Sequence, residues 1–534
     1  MHARSRLWRA LSAVALAFVF AVCAGCAGLP RDVQRAPSQA IPASPDTELG
    51  RIALASAPDR THSGFRLLSW SAQSLQARIE LVRRAQVSLD VQYYVIHDDA
   101  TGRHLLRALR DAAQRGVRVR LLVDDLYTAG TDPVLLGLAA YPNAEVRLFN
   151  PFPVGRNSLG ARLTASLFDF GRVNHRMHNK LLVADGAMAV AGGRNIGDEY
   201  FMVHDQANYI DLDAFAVGPV VRQLAALFDQ YWNSDYVYPV QSIVPPDRSE
   251  AELRERFERW TDPTRAPPPQ AARKGAKDLL GQRNVEDELA EGRIDLHWAE
   301  AKAFADAPEK VINHTRRWLP GLRREEKTVR LGLMSELLLA RQEVFVSSPY
   351  LVPNPQVIED IREGRLWGLQ ITLLTNSLAS TDEPLVHAGY QRYRRQMLDL
   401  GVKLYEVVPS QVKRAKDLGF GQSIGRFHAK AAAIDGKTLF IGSLNFDPRS
   451  EKHNTELGLL IHSPALTAHL IKLADVVITQ AAYRVRLSKD KRDLEWVLSG
   501  ADGRETVLTT EPDTSAFERL WLWLIGPLVP DDVL

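Results

Sequence analysis

Two short segments of this chain combine histidine and lysine at the same spacing. The first reads His178-Asn179-Lys180-Leu181-Leu182-Val183-Ala184-Asp185, followed by Gly192-Gly193-Arg194-Asn195. The second reads His428-Ala429-Lys430-Ala431-Ala432-Ala433-Ile434-Asp435, followed by Gly442-Ser443-Leu444-Asn445. Ten positions separate the aspartate from the asparagine in both copies. Alternate residues of an extended strand share a face, so the histidine and lysine of each copy point the same way. The apolar tail of each motif fits a buried strand, and Asp185-Gly186 and Asp435-Gly436 fit hairpin turns. The returning strand then delivers Asn195 or Asn445 to the same end. Paired histidines, lysines and asparagines make a cationic, donor-rich site. Displacement at a phosphodiester needs positive charge on the non-bridging oxygens and a placed proton donor for the leaving oxygen.

A reacting imidazole also needs its second nitrogen held by an acceptor, which fixes the tautomer. The strand after the second motif runs from Thr455-Glu456-Leu457 to Ser463-Pro464, and that after the first from Ile210-Asp211-Leu212 to Gly218-Pro219. Aligned on the prolines, Asp211 stands opposite Glu456. The expectation is that Asp211 orients His178 and Glu456 orients His428. Asp185 and Asp435 then serve the hairpins, although the motif groups them with the catalytic residues.

These segments must be positioned by a larger repeat. A helical pattern over 75–84 leads into an apolar strand over 87–95, and 333–340 leads into 344–352 in the same way. The run 116–123 matches 368–375, and 145–149 matches 402–405. Helices alternating with β-rich runs imply α/β layering, with mixed sheets flanked by helices. The expected division is residues 1–26 as a signal or anchor and 27–63 as a flexible tether. Residues 64–241 form a first α/β sandwich domain, 242–325 an interdomain insertion, and 326–534 a second, homologous domain. One active site lies at their pseudo-two-fold interface, so a single chain is a complete catalytic unit.

Composition narrows the class. The chain has 534 residues, 46% hydrophobic and 24% charged, with a net charge of +2. That balance carries no basic footprint for nucleic acid. Cys23 and Cys26 are the only cysteines, so no disulfide framework or thiolate metal site is expected. Arg4, Arg6 and Arg9 precede an apolar run over 11–22, and small residues then lead to Cys26. This is the layout of an export signal with a lipid-accepting cysteine; a plain N-terminal membrane anchor is the alternative. Near the other end, Trp521 and Trp523 lie among leucines, a composition that suits a bilayer interface or packing onto the core. Core packing is the expectation.

The paired motifs resemble the phospholipase D superfamily, whose pattern is His-x-Lys-x4-Asp followed by Gly-Ser/Gly-x-Asn. Residues 174–180, 192–201 and 374–378, with the Trp/Pro-rich tail, are similar to the bacterial cardiolipin synthases, particularly their C type. That resemblance covers roughly residues 65–534 and implies a catalytic set of His178, Lys180, Asp185, His428, Lys430 and Asp435. Asn195, Asn445, Arg194 and Ser443 are expected to bind phosphate or support the site. It further implies a phosphohistidine intermediate, with His178 as nucleophile and no metal or cofactor. The substrates would be phospholipids: phosphatidylglycerol and a second phospholipid would yield cardiolipin. Hydrolysis to phosphatidic acid is one alternative, and a phosphodiesterase or nuclease another. The N-terminus places the protein at a membrane of a Gram-negative-type bacterium, lipid-anchored on the periplasmic side. Asp124-Asp125 could line the cleft or cap a helix.

Overall fold

The computed structural model describes residues 28–166, 169–311, 328–363, 368–415, 418–420, 423–499 and 504–530. Cys26 lies outside them. The apolar runs of the first half become strands β1 (Ser63–Leu68), β2 (Ser88–Tyr93), β3 (Arg118–Asp124), β4 (Ala144–Phe149), β5 (Leu181–Ala184), β6 (Met188–Gly192), β7 (Ala207–Ile210), β8 (Asp213–Val217) and β9 (Val237–Pro239). The second half supplies β10 (His297–Ala305), β11 (Glu343–Ser347), β12 (Gln370–Asn376), β13 (Lys403–Val407), β14 (Ile424–Phe427), β15 (Ala431–Ile434), β16 (Thr438–Gly442), β17 (Leu457–His462), β18 (Ala482–Leu487), β19 (Leu494–Ser499) and β20 (Glu505–Leu508).

Pairing gives the same order twice. The first sheet runs β1-β8-β6-β5-β2-β3-β4-β9. The second runs β10-β17-β16-β15-β11-β12-β13-β18 and continues into β19 and β20. In each, three neighbouring strands are parallel, and parallel neighbours need crossover connections. β1 pairs antiparallel with β10, so the two sheets are continuous. β7 and β14 stand apart as a parallel two-stranded ribbon that links the halves.

The helices are α1 (Glu48–Ser56), α2 (Ser71–Arg84), α3 (Ala100–Gln114), α4 (Asp132–Ala139), α5 (Pro219–Trp232), α6 (Glu250–Trp260), α7 (Val329–Leu339), α8 (Pro355–Arg362), α9 (Pro384–Asp399), α10 (Pro464–Ala481) and α11 (Ala516–Ile525), with shorter turns between them. Leu181, Leu182, Val183 and Ala184 of β5 are all buried, as are the four residues of β15. Strands covered on both faces read as unbroken apolar runs, which is how these motif tails read in the sequence. Phe65, Val183, Phe228 and Trp232 share one buried cluster with Ala433, Ile441, Ile461 and Leu470. The halves are therefore joined by a common core.

Three expectations change. The segment 27–63, expected as a flexible tether, carries α1, whose Leu49 and Ile52 are buried. Upstream of it, Arg120 donates to Ser38 O and Arg147 to Ala36 O. Its composition hid this, because upstream of α1 much of the docking is by its backbone, including Ala40 N donating to Asp229. The stretch 242–325, expected as an insertion, contains β10, which is the second half's counterpart of β1. The tail expected to pack on the core buries only Leu522 of α11; Phe517 is 74% exposed and Trp523 71%.

Candidate active site

Each histidine sits just ahead of a central strand, His178 before β5 and His428 before β15, and both are buried. The residue before each is clamped by the end of a parallel strand. Asp124 Oδ2, at the end of β3, accepts from Met177 N at 2.8 Å. Asn376, at the end of β12, accepts from Phe427 N through Oδ1 and donates to Phe427 O through Nδ2, both at 2.8 Å. Asp124 thus serves the site by holding its backbone. Burial lifts its carboxyl to about 6, against the pull of Arg176.

The orienting carboxylates are those read from the repeat, but they are exchanged between the halves. His178 Nδ1 lies 2.9 Å from Glu456 Oε2, and His428 Nδ1 lies 2.6 Å from Asp211 Oδ2. The expected pairs, Asp211 with His178 and Glu456 with His428, are not formed. Register explains it. In the β7–β14 ribbon Ile210 is opposite Phe427, so the next residues, Asp211 and His428, are neighbours. A parallel bridge between Met177 and Thr455 places His178 beside Glu456 in the same way. Each half thus lends its carboxylate to the other half's histidine.

The surroundings of the two carboxylates differ. Ser443 Oγ donates to Glu456 Oε2 at 2.5 Å, and Ser443 O accepts from His178 Nδ1 at 3.1 Å. Ser443 therefore supports the Glu456–His178 pair. Its counterpart is Gly193, where a Cβ would sit 2.2 Å from Asp211 Oδ1. The shorter acidic side chain occupies the space that the serine fills in the other half.

Lys180 Nζ donates to His178 O at 2.6 Å, and Lys430 Nζ donates to His428 O at 2.7 Å. Lys430 Nζ is also 3.0 Å from His428 Nε2. Asn195 Nδ2 donates to Tyr200 Oη at 2.9 Å. The buried Oδ1 atoms of Asn195 and Asn445 have no partner among the described residues. Both amides keep hydrogen-bonding capacity for a ligand. Aromatic rings wall the site. Tyr94 is 5.0 Å from His178, while Tyr200 and Tyr209 are 5.3 and 5.0 Å from His428. Tyr209 and Tyr350 both donate to Asp382 at 2.9 Å.

Burial and the neighbouring lysines push both imidazoles down, His178 well below its ordinary value. His178 is therefore neutral near pH 7, with its one proton on Nδ1 toward Glu456, whereas at His428 Asp211 opposes the lowering and favours the protonated ring. Nε2 is left for chemistry. Burial lowers Lys180 well below the usual ammonium range and Lys430 to about 8. Burial opposes charge on Asp211, but His428 and Lys430 hold it well below the usual carboxylate range. Burial raises Glu456 to about 7, against Lys180 and the Ser443 hydroxyl. The two orienting groups thus differ in charge at neutral pH.

Three residues expected at the chemistry stand elsewhere. Asp185 accepts from Gln86, Val87 and Ser88 N, and Asp435 from Arg341, Gln342 and Glu343 N. Each locks the turn between a helix and the next strand of its own half, at the hairpin end remote from the histidine. Arg194, expected near phosphate, is buried against Asp213 at 2.8 Å and the carbonyls of Leu68, Ser69 and Asp211. Asp213 binds Arg78 as well, at 3.0 Å. An arginine whose two terminal nitrogens are held by a buried carboxylate and carbonyls has its charge already engaged. The tyrosines, Asp382 and the clamp by Asn376 were not identified from the sequence. The sequence signal for Asn376 was its place at the repeat position of Asp124.

Comparison with known proteins agrees with this geometry. The family model described as "Cardiolipin synthase, PLD-like domain" matches residues 79–232 and 333–476. Cardiolipin synthase C of Escherichia coli (strain K12) is 38% identical over 474 residues, 86% of this chain and 94% of the relative. A cardiolipin synthase of Staphylococcus aureus (strain Mu50 / ATCC 700699) is 23% identical over 434 residues, 80% of this chain and 70% of the relative. Among solved structures, phosphatidylserine synthase from Haemophilus influenzae Rd KW20 has the same fold. Its TM-score is 0.55 at 12% identity, covering 90% of this chain and 96% of that one.

Proposed function

This chain belongs to the phospholipase D-like cardiolipin synthase family, and we propose that it forms cardiolipin from phosphatidylglycerol and a second phospholipid. Its reaction class is phosphatidyl transfer. The observation that carries the mechanism is the pair of buried imidazoles, each held at Nδ1 by a carboxylate from the opposite half. In the first step His178 Nε2 attacks phosphorus. The bond to the leaving alcohol oxygen breaks, and that oxygen takes the Nε2 proton of His428, which enters the step doubly protonated against Asp211 and leaves it neutral. In the second step His428 removes a proton from the primary hydroxyl of the acceptor lipid. That oxygen displaces the histidine, and the P–N bond breaks. One phosphodiester is exchanged for another, so two moderate barriers replace one high one. Lys180 and Lys430 offset charge on the non-bridging oxygens. His428 suits the acid role because Asp211 favours its protonated form, whereas His178 is pushed further toward the neutral nucleophile.

The finer reading places the protein at a membrane surface. No helix among the described residues is long and apolar enough to cross a bilayer. Attachment would come from a lipidated Cys26 on the periplasmic side, aided by α11. The exposed Phe517, Trp523 and Leu528 supply the amphipathic aromatic surface that interfaces favour. Purified protein given phosphatidylglycerol, alone or with phosphatidylethanolamine, is expected to yield cardiolipin and release glycerol or ethanolamine. Phosphatidic acid as sole product would replace transfer by hydrolysis. Cleavage of a DNA oligonucleotide without lipid turnover would overturn the lipid reading.

A further inference from the structure

The halves match strand for strand, but their parallel strands are not covered alike. In the first half α2 and the 15-residue α3 bury Leu75, Ile79, Leu105 and Leu109 in one cluster with Leu89 and Leu121 of β2 and β3. In the second half α7 buries only Val329 and Leu333. Its α8, the counterpart of α3, has 8 residues and buries Ile358 and Asp360. Among the described residues this shortfall leaves a cavity of about 130 Å³ between α7, α8 and strands β11 and β12.

Leu333, Leu337, Val346, Ile358, Ile371 and Leu373 give the cavity aliphatic walls. Asn445, Phe446 and Asp447 also line it. They continue the loop whose Ser443 carbonyl accepts from His178. The cavity therefore reaches from the helix layer to the loop that serves the reacting imidazole. An unfilled aliphatic hollow is a defect in a close-packed interior, whereas an apolar guest gains by entering one. An engineered apolar cavity of roughly 150 Å³ takes up benzene. Arg330, Asn354 and Glu451 also line the second-half cavity but bond one another, and the aliphatic walls give a headgroup or a nucleotide base nothing to bond. A molecule with a phosphodiester at one end and an aliphatic chain at the other satisfies both the walls and the catalytic loop.

We propose that this cavity receives one acyl chain of the phospholipid whose phosphate lies between His178 and His428. The proposal rests on the phosphatidyl-transfer reading. It makes the second half the one that grips a substrate tail, since the matching space in the first half is filled by α3.

The test compares dioleoyl- with dihexanoyl-phosphatidylglycerol in mixed micelles. Leu337→Trp and Ile361→Trp narrow the cavity from partly exposed positions. In each variant the ratio of long-chain to short-chain kcat/KM is expected to fall at least tenfold. A ratio equal to that of the wild type, with both lipids still turned over, would overturn the proposal. Should the variants fold poorly, the wild-type protein is labelled with phosphatidylglycerol bearing a diazirine in mid-chain. Adducts are expected in residues 329–338 or 351–361, and adducts confined to other segments would overturn it. If the wild type labels there but transfers no phosphatidyl group, the functional reading fails and the chain site stands.

Discussion

The two halves solve one problem with different carboxylates. On the His428 side a short aspartate stands against Gly193, has no hydroxyl neighbour at that place, and stays ionised. On the His178 side a longer glutamate reaches past Ser443, accepts its hydroxyl, and is raised to about 7. The two half-sites differ by a matched pair, Gly193 with Asp211 and Ser443 with Glu456. The difference divides the labour. A fixed charge beside His428 favours its protonated form, while the half-neutral Glu456 gives His178 less of that support, in keeping with the proposed nucleophile and acid.

The comparison can be broken most severely at the carboxylates. Asp211→Asn should lower kcat by about 10³-fold at every pH tested, since it removes a charge and offers the wrong tautomer. Glu456→Gln imitates the neutral acid, so its penalty should be only about tenfold near pH 6. That penalty should grow as pH rises through 7, where the wild-type Glu456 ionises. Equal penalties with equal pH dependence would remove the asymmetry. Next come the small residues. Gly193→Ser should cost about 10²-fold in kcat by displacing Asp211, whereas Ser443→Gly should cost about fivefold, the scale of one lost hydrogen bond. The reverse ranking would mean that the two loops are not matched to their carboxylates.

A smaller effect concerns the lysines. Wild-type activity should decline above about pH 8 as Lys430 loses its proton. Lys430→Arg keeps the charge at all accessible pH, so its residual activity should lack that decline. A decline unchanged in the variant assigns it to another group. Last are the motif aspartates, whose roles are structural. Asp185 is buried and Asp435 partly exposed, so urea unfolding should show Asp185→Ala losing about 3 kcal/mol and Asp435→Ala about half that. Both have positive φ, which adds strain for alanine.

Much of this was legible because duplication makes a sequence its own comparison. The recurring succession of helices and strands, the motif pair and the candidates Asp211 and Glu456 all came from laying one half on the other. The exchange of carboxylates was not legible. It depends on the register of β7 against β14 and of Met177 against Thr455, contacts between halves that leave no local pattern. Arg194 misled because an arginine beside a phosphate motif suggests a ligand, while its partner Asp213 lies on a neighbouring strand outside the motif. The tether hid its order because it docks through the carbonyls of Ala36 and Ser38. The bare face of α11 was not legible either: its aromatics suit core and interface alike, and the expectation of core packing is not met.

The crosswise pairing is best tested on the protons themselves. In protein labelled with ¹⁵N-histidine, each strongly bonded Nδ1–H should give a far-downfield resonance. Asp211→Asn should abolish the resonance of His428 and leave that of His178, and Glu456→Gln should do the reverse. Assignment is by His178→Gln and His428→Gln. Loss of the His178 signal in Asp211→Asn, with His428 retained, would contradict a site built from exchanged carboxylates.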